Sequence, residues 1–277
     1  MANITAEEFD TLSDFIYKKT GIRFESRKLY FISKRIGKRI DELGVETVAE
    51  YIRMLRFADP VNQEFQKLTD LLTINETYFF RDFPQLQAFA EHCLSEVEKK
   101  KNAVKDNTIR IWSAGCSTGE EPYTIAIILL EMLNYFSTWK IEIIANDIDL
   151  TVLSKAKQAV YGKRSLRDVP QEYLDRYFIK KDSESYVLQK KVKKMVQFEH
   201  VNLSEKKEIR KKRGFDFIFC RNLLIYFDDI SRKRLVDQFY VALNEGGYVF
   251  LGSSESPGRI STAFKLKRAG GYIVYYK

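Results

Sequence analysis

The sequence has few cysteines and few histidines, and both shortages exclude classes of protein. Its three cysteines, Cys93, Cys116 and Cys220, lie far apart in a chain of 277 residues. They offer neither a disulfide framework nor the spacing of a metal site. The two histidines, His92 and His200, have no metal-ligating or triad residues at a suitable spacing. We therefore expect no metal centre and no catalysis by a histidine base.

Long apolar runs are also absent. No segment approaches the roughly 18 to 20 uncharged apolar residues that span a membrane. The first residues, MANIT, lack the basic and apolar regions of a signal peptide. A composition of 45% apolar and 30% charged residues is typical of an ordinary globular protein. We therefore expect a cytoplasmic protein without membrane insertion.

Apolar residues at helical spacing dominate the first hundred residues. Thr5 and Glu8 have the form of a capping box at the start of the first helix. The helical patterns cover Thr5 to Gly21, then 27–43, 47–57, 61–74 and about 83–100. The lysine-rich run that follows has no apolar periodicity. These patterns predict an all-α N-terminal domain over residues 1–97 and a linker over 98–108.

The second predicted helix carries a basic face. At ~100° per residue, six cations project away from its apolar stripe, and only Asp41 and Glu42 offset them. The six are Arg27, Lys28, Lys34, Arg35, Lys38 and Arg39. With a net charge of +8 for the chain, this face suggests an acidic partner such as nucleic acid, anionic lipid or an acidic protein surface. A solvated helix surface is the other interpretation.

From residue 109 onward, short β-rich runs alternate with helical patterns. The runs are 109–112, 141–145, 196–201, 215–220 and 248–252, followed by an antiparallel hairpin over 264–267 and 272–276. This alternation predicts an α/β domain over 109–277 with a mostly parallel sheet covered by helices. A basic, tyrosine-bearing segment at about 160–195 interrupts the pattern, and we expect it to form a small inserted β-subdomain.

Ligands of such sheets bind beyond the carboxyl ends of the strands. The loop after the first strand, SAGCSTGEEPY at 113–123, has small residues that permit close approach to the backbone. Glu120 and Glu121 stand where a phosphate loop would have its lysine, so the loop favours a neutral or cationic ligand. Asp147, at the end of the second strand, is placed to accept hydrogen bonds from both hydroxyls of a ribose.

Two further segments are candidates for a functional site. The loop NETYFFRD at 75–82 is polar at its ends and aromatic in the middle. The fourth strand ends in CRNLLIYF at 220–227. This segment lacks the Pro-Pro-aromatic motif of methyltransferases that act on the amino groups of adenine or cytosine. It also lacks the Pro-Cys nucleophile of cytosine-C5 enzymes.

Five segments, in order along the chain, resemble the motifs of the chemotaxis receptor methyltransferase (CheR) family. They are NETYFFR (75–81), WSAGCSTGEEPYT (112–124), NDID (146–149), VNL (201–203) and CRNLLIYF (220–227). The resemblance implies a class I methyltransferase-like, Rossmann-like fold. It also implies transfer of methyl groups from S-adenosylmethionine to glutamate side chains of bacterial chemoreceptors.

The resemblance carries roles for individual residues. It assigns cofactor contacts to Asn75, Thr77, Arg81, Gly115, Glu121, Asp147, Asn202, Leu203, Asn222 and Leu223. Arg81 and Tyr226 would flank the point of methyl transfer. The basic helix with Arg35, Lys38 and Arg39 would dock on the cytoplasmic methylation helices of the receptors. We accordingly expect a monomer that is recruited to membrane-bound receptor arrays and binds no nucleic acid.

The sequence departs from the family pattern at two places. Asp41 replaces a residue that is often basic in relatives, and the hairpin at 180–185 lacks the glycines of relatives that bind a receptor's C-terminal pentapeptide. We therefore expect a pentapeptide-independent enzyme. Two alternatives remain at this point: an RNA or DNA methyltransferase, and a non-catalytic cofactor-sensing adaptor of the same fold.

Overall fold

The structure, a computed structural model, describes residues 4–255 and 261–277. Its helices are α1 (Ala6–Thr20), α2 (Leu29–Leu43), α3 (Val48–Phe57), α4 (Gln63–Leu72), α5 (Phe83–Ala88), α6 (Leu94–Ala103), α7 (Glu120–Met132), α8 (Leu150–Gln158), α9 (Gln171–Tyr177), α10 (Lys190–Lys193), α11 (Lys206–Arg210) and α12 (Asp229–Ala242). A π-helical turn, Phe89–Cys93, joins α5 to α6, and 3₁₀ turns occur at Ser26–Lys28, Phe136–Thr138 and Leu224–Tyr226. No helix among the described residues has both the length and the apolar character needed to cross a membrane.

The strands form two sheets. They are β1 (Thr108–Ala114), β2 (Lys140–Asp147), β3 (Val160–Gly162), β4 (Phe178–Lys180), β5 (Ser185–Leu188), β6 (Val196–His200), β7 (Phe215–Cys220), β8 (Leu243–Leu251), β9 (Lys265–Ala269) and β10 (Tyr272–Tyr276). The large sheet has the order β6-β2-β1-β7-β8-β10-β9. It is parallel from β6 to β8, and β10 pairs antiparallel with both β8 and β9. The predicted α/β fold with a closing antiparallel hairpin is confirmed.

Helices α1 to α4 form a helical layer with its own apolar core. The predicted capping box is present, since Thr5 Oγ1 accepts from the backbone N–H of Glu8 at 3.2 Å and Glu8 Oε2 accepts from Thr5 N at 2.9 Å. Gly21 ends α1 in the left-handed conformation, with φ of 71°. The core of this layer includes Phe9, Leu12, Ile36, Tyr51 and Leu68, which are almost fully buried. This apolar core is separate from those on the two faces of the large sheet.

The inserted segment forms the small three-stranded antiparallel sheet β3-β5-β4, as predicted. Tyr161 in this subdomain donates a hydrogen bond to the carbonyl of Thr118 at 2.8 Å. Ser165 accepts one from the backbone N–H of Phe79 at 2.9 Å. The subdomain therefore contacts both the loop after β1 and the segment before α5.

The predicted linker over 98–108 differs from the structure, in which α6 continues to Ala103. The helical run from α5 to α6 also packs against the large sheet, with Phe89 in contact with Phe217, Phe219 and Phe250 at ring distances of 5.0 to 5.7 Å. The apolar core of the helical layer ends at residue 72, and that of the sheet begins at residue 79. The boundary that we expected at 97 therefore lies at 73–78. The apolar periodicity stops at Val97, because the last residues of α6 do not pack into the core.

The basic face of α2 is also smaller than predicted. Arg35 donates to the carbonyl of Leu71 at the end of α4, and its guanidinium lies 3.8 Å from the ring centre of Phe31. Arg39 makes two hydrogen bonds of 2.6 Å to Glu64. Both arginines border the apolar stripe, so their long side chains reach α4 instead of solvent. Of the three predicted docking residues, Lys38 is the one that stays exposed, within 3.8 Å of Glu42.

The Arg39–Glu64 pair generates a stability prediction. Arg39 and Glu64 have side chains only 13% and 11% exposed. Replacing Arg39 with Met leaves a nearly buried carboxylate without its cationic partner and with the Tyr51 hydroxyl as a remaining donor, so Arg39→Met should lower the free energy of unfolding by about 3 kcal/mol. Urea denaturation measures this loss. Lys38→Met is the matched control, because Lys38 is 72% exposed and surface changes stay within about 0.5 kcal/mol. Equal losses in the two variants would contradict the assignment.

Candidate active site

A cavity of about 370 Å³ lies where the helical layer meets the carboxyl edge of the large sheet. The carboxyl ends of β1, β2 and β7 converge there because these strands are adjacent and parallel. Its wall comes from segments 22–28, 69–81, 115–124, 147–148 and 221–226. A small adjoining pocket of about 30 Å³ shares Gly115, Asp147 and Leu223 with it. The volume of the larger cavity is in the range of small-molecule sites.

The loop after β1 is shaped for close backbone approach. Gly115 has φ of 78°, and a Cβ placed there would come within 2.8 Å of Leu223 Cδ2. The backbone N–H groups of Gly115 and Cys116 both donate to the carbonyl of Asn146 at 2.9 Å. Glycine is therefore required at 115 by its conformation and by its neighbour.

Asp147 is a buried carboxylate at the end of β2. It accepts hydrogen bonds from the backbone N–H of Ser117 at 2.8 Å and of Asp149 at 3.0 Å. Burial nevertheless raises the pKa of Asp147 to about 6, because water is withdrawn from the ionised form. Its carboxylate borders both the cavity and the adjoining pocket. A ligand with hydroxyl donors would supply the solvation that burial removes.

Glu121, in the first turn of α7, contacts a buried cation. Ser113 Oγ donates to Glu121 at 2.7 Å, and Arg221 lies 3.5 Å from its other oxygen. Burial raises the pKa of Glu121, while the charge of Arg221 acts in the opposite direction. Arg221 also lies 3.4 Å from Asp82, and its Nε has no hydrogen-bond partner among the described residues. The charges of Arg221 and Arg81 offset only part of the effect of burial on Glu121, whose pKa stays raised, so a cationic ligand group would stabilise its ionised form further.

Arg81 and Tyr226 line the same cavity from opposite elements. Arg81 donates to the carbonyl of Glu76 at 2.7 Å, and its guanidinium lies 5.6 Å from the ring centre of Tyr78. Burial raises the pKa of the Tyr226 hydroxyl, and the charge of Arg81 lowers it. The hydroxyl of Tyr226 therefore stays protonated at neutral pH and is available as a hydrogen-bond donor.

Two residues that were predicted to contact the cofactor donate side-chain hydrogen bonds that join the helical layer to the sheet. Asn75 Nδ2 donates to Asp149 at 2.8 Å. Asn202 Nδ2 donates to the carbonyl of Lys19 at 2.7 Å. Asn75 also lines the cavity, while Asn202 and Leu203 line the adjoining pocket. Their hydrogen bonds position the walls of the site.

The structure brings all the predicted cofactor-contact residues and Tyr226 to one cavity and its adjoining pocket. It does not bring Arg35, Lys38 or Arg39 to the cavity wall. Sequence reasoning missed Arg221, although it lies inside the CRNLLIYF motif, because a buried arginine leaves no periodic signal. It also missed segment 22–28, whose place over the cavity depends on tertiary contacts alone.

The fold and the site define a class I methyltransferase. A buried acid at the end of β2, a glycine loop after β1 and an acidic first turn of α7 fit a ligand with a ribose and a positive charge. The model of the CheR methyltransferase SAM-binding domain matches residues 75–272, and that of the CheR methyltransferase all-alpha domain matches residues 7–73. The chain belongs to the CheR methyltransferase family, and its cofactor is S-adenosylmethionine.

Several relatives resemble the chain over nearly its full length. Chemotaxis protein methyltransferase 2 of Vibrio cholerae serotype O1 is 43% identical over 274 residues, which are 99% of this chain and 94% of the relative. The chemotaxis protein methyltransferase of Borreliella burgdorferi is 33% identical and that of Salmonella typhimurium 33%, over 92% and 96% of this chain and 89% and 88% of those relatives. Among solved structures, magnesium protoporphyrin IX methyltransferase from Synechocystis PCC 6803 has a TM-score of 0.35 at 11% identity, covering 80% of this chain and 93% of that one.

The pKa of Asp147 predicts how cofactor affinity depends on pH. We expect the ionised carboxylate to accept hydrogen bonds from the ribose hydroxyls, so protonation as pH falls through about 6 would remove the acceptor. Affinity for S-adenosylhomocysteine should be full above that pH and fall about tenfold per pH unit well below it. The raised pKa of Glu121 adds a loss in the same direction. Calorimetry from pH 8 to 5 measures the profile.

Asp147→Asn is the control for this profile. The variant should bind weakly at pH 8 and show a flatter pH dependence, because the titrating acceptor is gone. Constant wild-type affinity down to pH 5 would contradict the assignment of Asp147.

Proposed function

We propose that this protein transfers methyl groups from S-adenosylmethionine to glutamate side chains on the cytoplasmic helices of chemoreceptors. One observation carries the proposal: one cavity is lined both by the buried acids Glu121 and Asp147 and by four cations, Arg23, Arg27, Lys28 and Arg81. Glu25 and Glu76 lie on the same segments as the cations. A site with charges of both signs suits a positively charged donor and a negatively charged acceptor. The printed names of the relatives, chemotaxis protein methyltransferases, support the same function.

The chemistry needs alignment more than proton transfer. Bound S-adenosylmethionine supplies a methyl group made electrophilic by its sulfonium. A glutamate with a pKa near ~4.3 is already ionised at neutral pH, so no general base is required. Arg81 would orient the acceptor carboxylate through charge-assisted hydrogen bonds. Tyr226 would pack against the methyl group and donate one hydrogen bond.

The segment that covers the cavity also supports the proposed methyl transfer. Segment 22–28 covers the cavity, since the backbone N–H of Arg23 donates to the carbonyl of Tyr226 at 3.1 Å and Ile22 forms a β-bridge with Phe227. This cover limits the access of water to the reacting groups. The positive charge of the donor and the negative charge of the acceptor cancel as the new bond forms. Desolvation therefore raises the free energy of the charged reactants more than that of the transition state, so a drier site favours the transfer.

Methyl transfer to receptor-containing membranes tests the proposal. The wild-type protein, given labelled S-adenosylmethionine, should form base-labile methyl esters on receptor glutamates. Arg81→Ala should retain the fold and lower kcat/KM by about 10- to 100-fold, the loss expected for one charged hydrogen bond of about 1.5 to 3 kcal/mol. Arg164→Ala is the matched control, because Arg164 is 79% exposed, pairs with Glu76 and lies outside the cavity wall. Normal activity in Arg81→Ala would refute its role.

Receptor docking would use the cations that remain exposed. Arg27, Lys34 and Lys38 lie on the surface beside the cavity segment or along α2. We propose that these residues attract the acidic methylation helices, with Arg35 and Arg39 supporting α2 from within. The protein would act as a cytoplasmic monomer at receptor arrays.

Recognition of a receptor's C-terminal pentapeptide is not part of the proposal. The turn between β4 and β5 is closed by Asp182, which accepts from Ser185 Oγ at 2.6 Å and from the backbone N–H of Glu184 at 2.8 Å. Removing the last five residues of a receptor should therefore leave its methylation rate unchanged within about twofold. Initial rates on full-length and truncated receptors measure this. A rate that falls tenfold on truncation would contradict the prediction.

A further inference from the structure

Glu255 makes an unusual set of contacts for an acid that does not line the cavity. Its Oε2 accepts hydrogen bonds from the backbone N–H of Asn222 at 3.0 Å and of Gly252 at 2.8 Å. Its Oε1 accepts from the backbone N–H of Ile225 at 3.2 Å. One carboxylate thus collects three backbone donors from two separate segments, the loop after β7 and the end of β8.

The loop after β7 is the one that carries the reacting end of the site. Asn222, Leu223 and Tyr226 all line the cavity. Asn222 has φ of 58°, a left-handed conformation that a non-glycine residue adopts at some cost. The 3₁₀ turn that follows has two backbone hydrogen bonds of its own, from Tyr226 to Leu223 and from Phe227 to Leu224, both at 3.1 Å. These bonds do not use the backbone N–H groups of Asn222 and Ile225, which donate to Glu255 outside the loop.

Space for this carboxylate is reserved by a glycine. A Cβ at Gly252 would come within 2.8 Å of both Asn222 N and Glu255 Oε2. A side chain at position 252 would push the Glu255 carboxylate away from the backbone N–H groups that donate to it. The glycine and the acid therefore form one device that links the end of β8 to the loop after β7.

We infer that Glu255 is a positioning residue for methyl transfer: it fixes the loop so that Tyr226 and Leu223 keep their places in the cavity. The inference rests on the proposed methyl-transfer function. Three donors need an acceptor with two free oxygens, which an ionised carboxylate provides. Glutamine has one oxygen, so its amide N–H₂ would face at least one backbone donor and push it away.

Glu255→Gln tests the inference. The variant should lower kcat by about 10-fold to 100-fold, because small misplacements of reacting groups have effects of that size. The KM for receptors should change by less than threefold, because the cationic docking surface is untouched. Hydrogen exchange at the amides of Asn222, Ile225 and Gly252 should accelerate in the presence of S-adenosylhomocysteine.

Asp106→Asn is the matched control. Asp106 also accepts a backbone hydrogen bond, from Thr108 at 2.9 Å, but it lies at the amino-terminal end of β1, whereas the site lies at the carboxyl ends of the strands. This variant should lose thermal stability without losing kcat. If both variants lose kcat equally, or if Glu255→Gln keeps wild-type kcat and amide protection, the inference is overturned.

The proposed function and the inference can fail separately. A wild-type protein that methylates no receptor refutes the proposed function. Amide exchange and S-adenosylhomocysteine affinity of Glu255→Gln then still decide whether Glu255 holds the loop, because neither measurement needs turnover.

Discussion

The structure depends on keeping two carboxylates, Asp147 and Glu121, out of water at the carboxyl edge of a parallel sheet. Burial disfavours the charged form of each, which is why both pKa values are raised. Backbone N–H groups at Asp147 and the charge of Arg221 at Glu121 offset part of that cost. The remainder is what a ligand with hydroxyl donors and a positive charge would supply. We therefore expect the affinity of the site for its cofactor to depend on these two buried acids.

The helical layer completes this site. Asn75 and Thr73 donate to Asp149, and segment 22–28 pairs with the loop after β7 through Arg23 and Ile22. A parallel sheet alone presents an open crevice. The added layer turns the crevice into a covered cavity, which strengthens the electrostatic interactions inside it. The all-α domain therefore forms part of the wall of the candidate catalytic pocket.

The cations of α2 show how one pattern can serve two purposes. Arg39 and Arg35 lie beside the apolar stripe. Arg39 donates to Glu64, and Arg35 donates to the carbonyl of Leu71. Lys34 and Lys38 lie farther from the stripe and stay in solvent. A planar guanidinium satisfies several acceptors at a buried junction, whereas a compact ammonium favours water. Within α2, the two arginines beside the stripe therefore support the helical layer, and the two lysines stay in solvent.

The sequence by itself determined the class of fold and most of the site. Alternating strands and helices, the glycine loop with Glu121 and the acid at Asp147 are local patterns, because backbone geometry and strand ends obey short-range rules. Tertiary structure alone decided where α6 ends its contact with the sheet, that Arg39 turns inward, that Arg221 lies between two acids, and that Glu255 reaches the loop after β7. The last three outcomes join residues that are 25 (Arg39 and Glu64), 100 (Arg221 and Glu121) and 33 (Glu255 and Asn222) positions apart. No periodicity in the chain records such distances, because they are set by packing between elements.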